Sequence, residues 1–513
     1  MSDPASVPID PEQSDGLNDM DPDAFREAGH AVVDRIADYL ADVSNYPVLP
    51  PIEPGSIGPL LPAEAPADPE PIETILEDVD RLVFPNATHW QHPGFFAYFS
   101  TSASAAGILG EMLTAGLGQN PMLWRTSPVG TELETVVVSW LRAALGLPEA
   151  FGGLLTDTAS TSTLISLAAA RESSGLQAAE RGLAALQGSM PRVYASVEAH
   201  SSVEKACMTL GLGRAALVKV PVDDEYRMDP GALRDLVAAD RAAGRQPVAV
   251  VATLGTTSST SVDPIAEIAD VTAEAGLWLH VDSAYAGAVA LIPDRREPFA
   301  GWERADSIVV NPHKWLFAPL DASLLLTRRM DQVRAAFSLV PAYLRTLDRA
   351  QPVLDYSEYQ PQLGRRMRAL KLWMLIRWFG LDGLRRRIAF HLDLAETFTE
   401  WIDDDPDWER LAPVPFSTVC FRYRPARYAG HEAEPAVAAR LDALNEQLLN
   451  AVNATGEVFL SHTRLRDTFT IRLAVGNLRT QQHHVGHAWA LLRAAAARLH
   501  DHPEPQPEET TSR

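Results

Sequence analysis

The segment Asn311-Pro312-His313-Lys314-Trp315 directly follows an apolar run, Ser307–Val310, and brings a lysine to its end. A lysine amine in a partly desolvated site has a lowered pKa and attacks aldehydes. Arginine would serve a mere surface charge, and of the 44 Lys+Arg residues only four are lysine: Lys205, Lys219, Lys314 and Lys371. Three further segments bring reactive groups to comparable places. Asp282, in His280-Val281-Asp282-Ser283-Ala284-Tyr285, ends the apolar run Leu277–Asp282. A carboxylate there must be paired or well hydrogen-bonded, as a cap or against a ligand's positive nitrogen. His200, in Ala199-His200-Ser201-Ser202, follows the strand candidate Val193–Val197. It is either an ordinary surface or core histidine, or a group that stacks on a planar ligand and moves protons. Gly152–Thr163 is a glycine-led turn entering a helix whose first turn is crowded with hydroxyls. That is an anion site, most often for phosphate, or a plain run of capping residues.

Together these groups suit pyridoxal phosphate: a phosphate cradle, a planar stacker, a carboxylate for a ring nitrogen and an amine for an aldehyde. A nucleotide or sugar phosphate would use the cradle alone. The elements that must position them alternate helix and strand. Pro247–Leu254, Leu277–Asp282, Ser307–Val310 and Leu324–Thr327 are apolar strands separated by helices. This predicts an α/β fold with a mostly parallel central sheet and helices on both faces, binding its ligand beyond the carboxyl ends of the strands. Ser127 is placed to cap a helix that opens at Pro128 and ends near Gly146, and Asp263-Pro264 opens another that stops at Gly276. Asp21-Pro22 starts an amphipathic helix with Phe25, Ala28, Val32, Ile36, Tyr39 and Leu40 on one stripe. Nine prolines between Pro47 and Pro71 then impose an extended connector. After about residue 372, arginine-rich helical segments precede the strand candidates Ser417–Arg424, Glu457–Ser461 and Thr468–Ala474, a small α+β domain. The expected division is a disordered acidic stretch over 1–20, a helical and extended segment over 21–104, a large domain over 105–371, a small domain over 372–501 and a disordered tail over 502–513.

Composition excludes several classes. A formal charge of −23 and a pI of about 5.0 argue against nucleic-acid or anionic-lipid binding through a basic surface. Cys207 and Cys420 cannot build a disulfide framework, and no Cys/His cluster suggests a metal. The polar amino terminus has neither a basic nor an apolar leader region, and no apolar run reaches spanning length, so the expected location is the cytoplasm.

The segments HPGFFAYFSTSAS, WRTSPVGTELE, DTASTSTL, AHSSVEKA, VATLGTTSSTSVDPI, WLHVDSAYAGA, NPHKW and LGRRMRALKLW occur in that order between about Asp21 and Thr480. In them the chain resembles the group II pyridoxal-phosphate-dependent amino-acid decarboxylases, most closely the aromatic-L-amino-acid decarboxylase branch. The resemblance implies a fold type I, aspartate aminotransferase-like architecture. It implies that Lys314 holds the cofactor covalently, that Asp282 keeps its pyridine nitrogen protonated, and that His200 stacks on the ring face. Thr158, Ala159 and Ser160, with Asn311 and His313, match the phosphate-anchoring positions, and Thr257 and Ala284 those lining the ring. Tyr343 matches a tyrosine on a loop that closes over the neighbouring subunit's site and protonates the substrate Cα after CO2 leaves. The implied assembly is a homodimer with shared active sites, the amino-terminal segment packing across its two-fold axis.

The resemblance places the substrate pocket wall around Trp90, Tyr98 and Thr101, with Asn120 and Met122 contributed across the dimer. Aligned from Trp124, Met122 stands where the animal enzymes have phenylalanine and Asn120 where they have isoleucine; methionine still packs against a ring. An aromatic amino acid is the expected substrate, decarboxylated to its amine. A non-aromatic substrate, diaminobutyrate or glutamate-like, is the alternative, with Arg125 and Arg365 the arginines at hand for an acidic one. An aldehyde synthase on the same scaffold commonly has phenylalanine for the loop tyrosine or lacks the stacking histidine, whereas this chain has both Tyr343 and His200. An aminotransferase or a non-catalytic cofactor-binding protein fits the motif set less well.

Overall fold

The computed structural model describes residues 19–183, 190–339 and 353–501. The expectations for the chain up to residue 18, for Tyr343 and for the tail from residue 502 lie outside the described residues. The chain divides into two compact units, Met1–His92 and Pro93–Arg513. In the first, Asp21 Oδ1 accepts the N–H groups of Asp23 and Ala24 at 2.9 and 3.2 Å, capping the helix Pro22–Asp42. Tyr39 of the stripe joins Tyr46, Phe84 and His89 in an aromatic cluster, its hydroxyl 3.0 Å from His89 Nδ1. Between Pro47 and Pro71 the only regular element is the short turn Gly58–Leu60, as the prolines require.

The second unit holds a seven-stranded sheet: β1 (Gly152–Thr156), β2 (Pro191–Ser196), β3 (Leu217–Val220), β4 (Gln246–Thr253), β5 (Trp278–Asp282), β6 (Ser307–Val310) and β7 (Ser323–Thr327). Their order across the sheet is β1-β7-β6-β5-β4-β2-β3. All neighbours are parallel except β7, which runs against both β1 and β6. The apolar strands are buried along almost their whole length, and helices cover both faces. Gly152–Thr156, read from sequence as a turn, is the edge strand β1. Gly153 lies so close to the Leu325 carbonyl of β7 that a Cβ would collide with it.

The helix at Pro128 forms and runs to Ala144, but Ser127 does not cap it through its side chain. With ψ at 76° the Ser127 hydroxyl turns against Gly130 and finds no partner. The helical span Ala369–Asp404 is two helices joined across a kink at Gly380, where φ is 63° and ψ 163°. A second sheet, ordered β10-β11-β9-β8, is antiparallel and comprises β8 (Trp408–Arg410), β9 (Thr418–Tyr423), β10 (Ser461–Leu465) and β11 (Thr468–Ala474). The expected strand Glu457–Ser461 is displaced. Phe459 donates its N–H to the Gly94 carbonyl and accepts the Phe96 N–H on its own carbonyl, and the strand begins only at Ser461, pairing with β11 through a hairpin. The hairpin turn is Arg466-Asp467, both with positive φ (48° and 63°), the geometry a tight two-residue turn needs.

Candidate active site

The carboxyl ends of β4, β5 and β6 are level, because Thr253 pairs with Asp282 and Asp282 with Val309. Asp282 therefore closes β5 beside the start of the Asn311–Lys314 turn. Its Oδ1 accepts the Ala284 N–H at 3.1 Å, and Asn311 N–H bonds the Ala284 carbonyl at 3.0 Å, so the two strand ends are tied together. The helical turn Pro312–Trp315 then presents Lys314, whose Nζ lies 5.0 Å from the centre of the Phe99 ring. Among the described residues this amine makes no hydrogen bond or ion pair. Desolvation lowers its pKa and Asp282 opposes the shift, so the amine has a larger neutral fraction than a solvated lysine.

His200 stands at the turn after β2. Its Nδ1 accepts the Ser202 N–H at 3.1 Å, which assigns the proton of the neutral ring to Nε2. Solvent reaches His200, yet desolvation still lowers its pKa, with Asp282 acting upward and Lys314 downward. These opposed influences put all three groups within electrostatic reach of one another. On the other side of Lys314, His313 Nδ1 accepts the Ala322 N–H at 2.9 Å, and desolvation pushes this ring down to about 3. It is neutral, with an N–H on Nε2 to donate. Asp157, just before the Ala159–Ser173 helix, is among the charges it senses.

That helix is capped by Thr158, whose Oγ1 accepts the Thr161 N–H at 3.4 Å, and its backbone ladder begins with Ser162 N–H on the Thr158 carbonyl. The N–H groups of Ala159 and Ser160 precede the ladder and point outward from a solvent-reached first turn. Ser162, bonded to Thr156 at 2.8 Å and Ser323 at 3.2 Å, fixes this turn to β1 and β7. Thr257 is exposed on the loop after β4, and Ala284 is buried behind Asp282.

These groups fit pyridoxal phosphate. The buried Asn311 Oδ1 and Ser283 Oγ are both without partners at the junction of β5 and β6. The amine is unpaired, and the helix start offers backbone donors for a phosphate.

Tyr98 is exposed on a φ of 50°, edge-on to Phe459 at 5.8 Å, and Thr101 follows it in half-buried position. Trp90 belongs to the first unit. Asn120 Oδ1 accepts the Arg365 N–H at 3.0 Å, and its amide touches Met122 Sδ at 3.6 Å. Both sit on a turn whose described contacts run to residues 355–365 rather than to Lys314. Arg365 is itself committed. Its guanidinium grips Glu134 with two bonds of 2.7 and 2.8 Å, both side chains being fully buried, and donates to the Leu155 carbonyl. It is closed to an acidic substrate, while Arg125 lies exposed on the turn Trp124–Thr126.

Three contributors escaped the sequence reading. Phe99 opens a stack through Tyr285 (3.9 Å) and Trp315 (4.6 Å) to His391 (6.4 Å), backing the lysine turn. Its only sequence signal was membership of the HPGFFAYFSTSAS run. Glu134 was readable as a carboxylate on the buried stripe of its helix, in register with Val137, Val138 and Leu141. Arg472, on β11, is buried over Phe99 (5.4 Å) and donates to the Ser258 carbonyl at 2.8 Å, tying the Thr257 loop to the second sheet. An arginine alternating in a strand carries no such signal.

The chain matches the family described as pyridoxal-dependent decarboxylase conserved domain over residues 54–424. It belongs to that family and is a pyridoxal-phosphate-dependent carboxy-lyase. It is 39% identical to phenylacetaldehyde synthase of Arabidopsis thaliana, covering 94% of this chain and 98% of that protein. It is likewise 39% identical to aromatic-L-amino-acid decarboxylase of Sus scrofa, over 93% and 96%. The crystal structure of Catharanthus roseus tryptophan decarboxylase in complex with L-tryptophan superposes with a TM-score of 0.87 at 35% identity, over 94% of this chain and 100% of that one.

Proposed function

We propose that the enzyme removes CO2 from an aromatic L-amino acid and releases the amine. The observation that carries this reading is a single one: an unpaired, desolvated lysine amine and a buried carboxylate at adjacent, mutually tied strand ends. Similarity to tryptophan and aromatic-L-amino-acid decarboxylases supports the aromatic substrate, as does the commitment of Arg365 to Glu134. Pyridoxal phosphate, when bound, supplies an electron sink for the carbon that loses CO2. Lys314 gives the neutral amine that holds the cofactor and takes it back after turnover. Asp282 keeps a proton on the pyridine nitrogen. The N–H groups of Ala159 and Ser160, the Thr158 hydroxyl, Asn311 and the Nε2 proton of His313 hold the phosphate. His200, with its proton on Nε2, would stack on the bound ring, and Thr257 and Ala284 would line it. Tyr98 and Thr101 line the side-chain pocket, with Asn120 and Met122 contributed across the dimer. Tyr343 delivers the proton to Cα, which distinguishes amine from aldehyde formation.

The working unit in this proposal is a cytoplasmic homodimer. Leu109, Leu113 and Leu117 lie exposed at four-residue spacing on one helix, and Val129, Val136 and Trp140 are exposed on the next. Such faces call for a partner. Both cysteines are buried free thiols, as a reducing compartment allows, and among the described residues no helix is long and apolar enough to cross a membrane. The test is to incubate the purified holoenzyme with a panel of amino acids and follow CO2 and amine. Release from phenylalanine, tyrosine, tryptophan or dopa, lost in Lys314→Ala together with the visible absorbance of the covalently held cofactor, is expected. Turnover of acidic amino acids alone would overturn the substrate assignment.

A further inference from the structure

A cavity of about 870 Å3 lies not at the Lys314 site but at the opposite, amino edge of the sheet. It opens between the starts of β4, β5 and β6 and the end of the reversed strand β7. From Trp278 in this cavity to Asp282 at the other edge, β5 spans about 13 Å. The two sites are therefore separate, and the cofactor phosphate cannot be its occupant.

Five arginines line it: Arg241, Arg245, Arg304, Arg328 and Arg329. Among the described residues, the only carboxylate in its lining is Asp306. In a chain with a formal charge of −23, so concentrated a set of guanidiniums needs a cause. Part of it is structural. The helices Ala159–Ser173 and Ile265–Ala275 end here, and carbonyl-rich helix ends favour cations. Arg241 takes the Ala275 carbonyl, and Arg304 takes the Ala266 carbonyl and Asp270. That accounts for two of the five.

The other three are less committed. Arg245 reaches Asp240 with one nitrogen, and Asp240 is already served by Arg192 and by the Tyr194 hydroxyl. Arg329 uses its Nε on Asp306. Arg328 comes no closer than 3.8 Å to Asp306 and otherwise donates to the Arg304 carbonyl. All three line the cavity, and their side chains are 46, 47 and 36% exposed. Several planar forks around one concave space match the oxygens of linked phosphates, each fork taking two of them. Val248, Ala269, Leu277 and Trp278 add apolar lining beside the charged side chains.

We propose that this amino-edge cavity binds a small molecule carrying two or more linked phosphates. Its source is either a nucleotide or an inorganic polyphosphate, and the two share the recognition chemistry. The test is calorimetric titration of the holoenzyme, whose cofactor already fills the other phosphate site, with ATP and separately with tripolyphosphate. One saturable site per chain is expected, weakening as salt is raised. R245Q and R328Q are each expected to bind about tenfold or more weakly while keeping the unfolding temperature and the cofactor absorbance. R328K, which keeps the charge and loses the planar fork, is expected to fall between wild type and R328Q. Tighter binding of ATP than of tripolyphosphate assigns the apolar lining to a nucleobase, and equal binding assigns the site to the phosphates alone. No saturable binding of either probe up to millimolar concentration, or binding undiminished in both glutamine variants, overturns the proposal.

Discussion

Trp278 carries an indole N–H that can only donate, and this sets the direction of a hydrogen-bond chain beside the proposed site. The indole donates to Ser307 Oγ at 2.9 Å, so the serine hydroxyl turns to His280 Nδ1 at 2.8 Å. His280 Nε2 then holds the proton and faces Thr163 Oγ1 at 3.4 Å. His280 lies two residues before Asp282, on the same face of β5. Burial pushes it down to about 4, so at neutral pH it is uncharged and leaves the carboxylate unneutralised. Asp282→Ala is accordingly expected to weaken cofactor binding by tenfold or more, roughly 1.4 kcal/mol or above, and to abolish nearly all turnover. Titration of the apoenzyme followed by cofactor absorbance checks this, and wild-type affinity would remove the ring-nitrogen role. Tyr343→Phe is expected to keep cofactor binding while product shifts from amine toward aldehyde. Amine formation at the wild-type rate would sink that assignment.

Strand β1 leads into the turn proposed to hold the cofactor phosphate, and one ion pair fastens β1. Glu134 accepts the Leu155 N–H at 2.8 Å while Arg365 donates to the Leu155 carbonyl at 2.7 Å. Tyr356 lies against the guanidinium at 4.4 Å. Removing one partner leaves the other charge buried. Glu134→Gln is therefore expected to cost about 3–5 kcal/mol, read as a lower urea midpoint, with weaker phosphate-dependent cofactor binding. An unchanged midpoint would mean the pair does not hold the strand. Neither this clamp nor β1 itself was legible as such. The glycines that let β1 approach β7 look like turn residues, and an ion pair across more than two hundred positions leaves no local pattern. By contrast, Asp282 and Lys314 stood out as candidates because each sits at the end of an apolar run, whereas His200 read equally as an ordinary histidine and gained a role only through the family motif. The apolar runs also gave strands β4 to β7 within a residue, but not the reversed direction of β7, since burial on both faces is the same in either direction. The Arg466-Asp467 hairpin was hidden because neither residue is the glycine or asparagine such turns favour.

At the scale of the whole molecule, acid is the expected weakness. His280 and His391 are both buried, and desolvation pushes each to about 4. Unfolded, each would titrate near its model value of 6.5. The unfolded state thus binds more protons between these values, and stability is lost as pH falls from the unfolded pKa toward the folded one. The full loss is about 3 kcal/mol per ring. Urea unfolding of the holoenzyme at about pH 7.5 and about pH 5 should show this fall. His391→Gln, which keeps an acceptor for the Trp315 indole now bonded at 2.9 Å, should make it shallower. An equal slope in that variant would exclude His391 as a source.

The pairing of β1 with β7 also has a kinetic consequence. Gly152 meets Thr327 across roughly 170 residues of intervening chain, whereas β6, the lysine turn and β7 are neighbours in sequence. The hairpin that carries Lys314 can form early and locally. The strand that leads into Thr158–Ser160 can dock only after a long loop has closed, the slow kind of contact in folding. A folding intermediate without β1 would own the amine but not the phosphate cradle. Cofactor uptake during refolding should therefore trail the recovery of helix signal, making the coloured holoenzyme a marker of completed topology rather than of collapse.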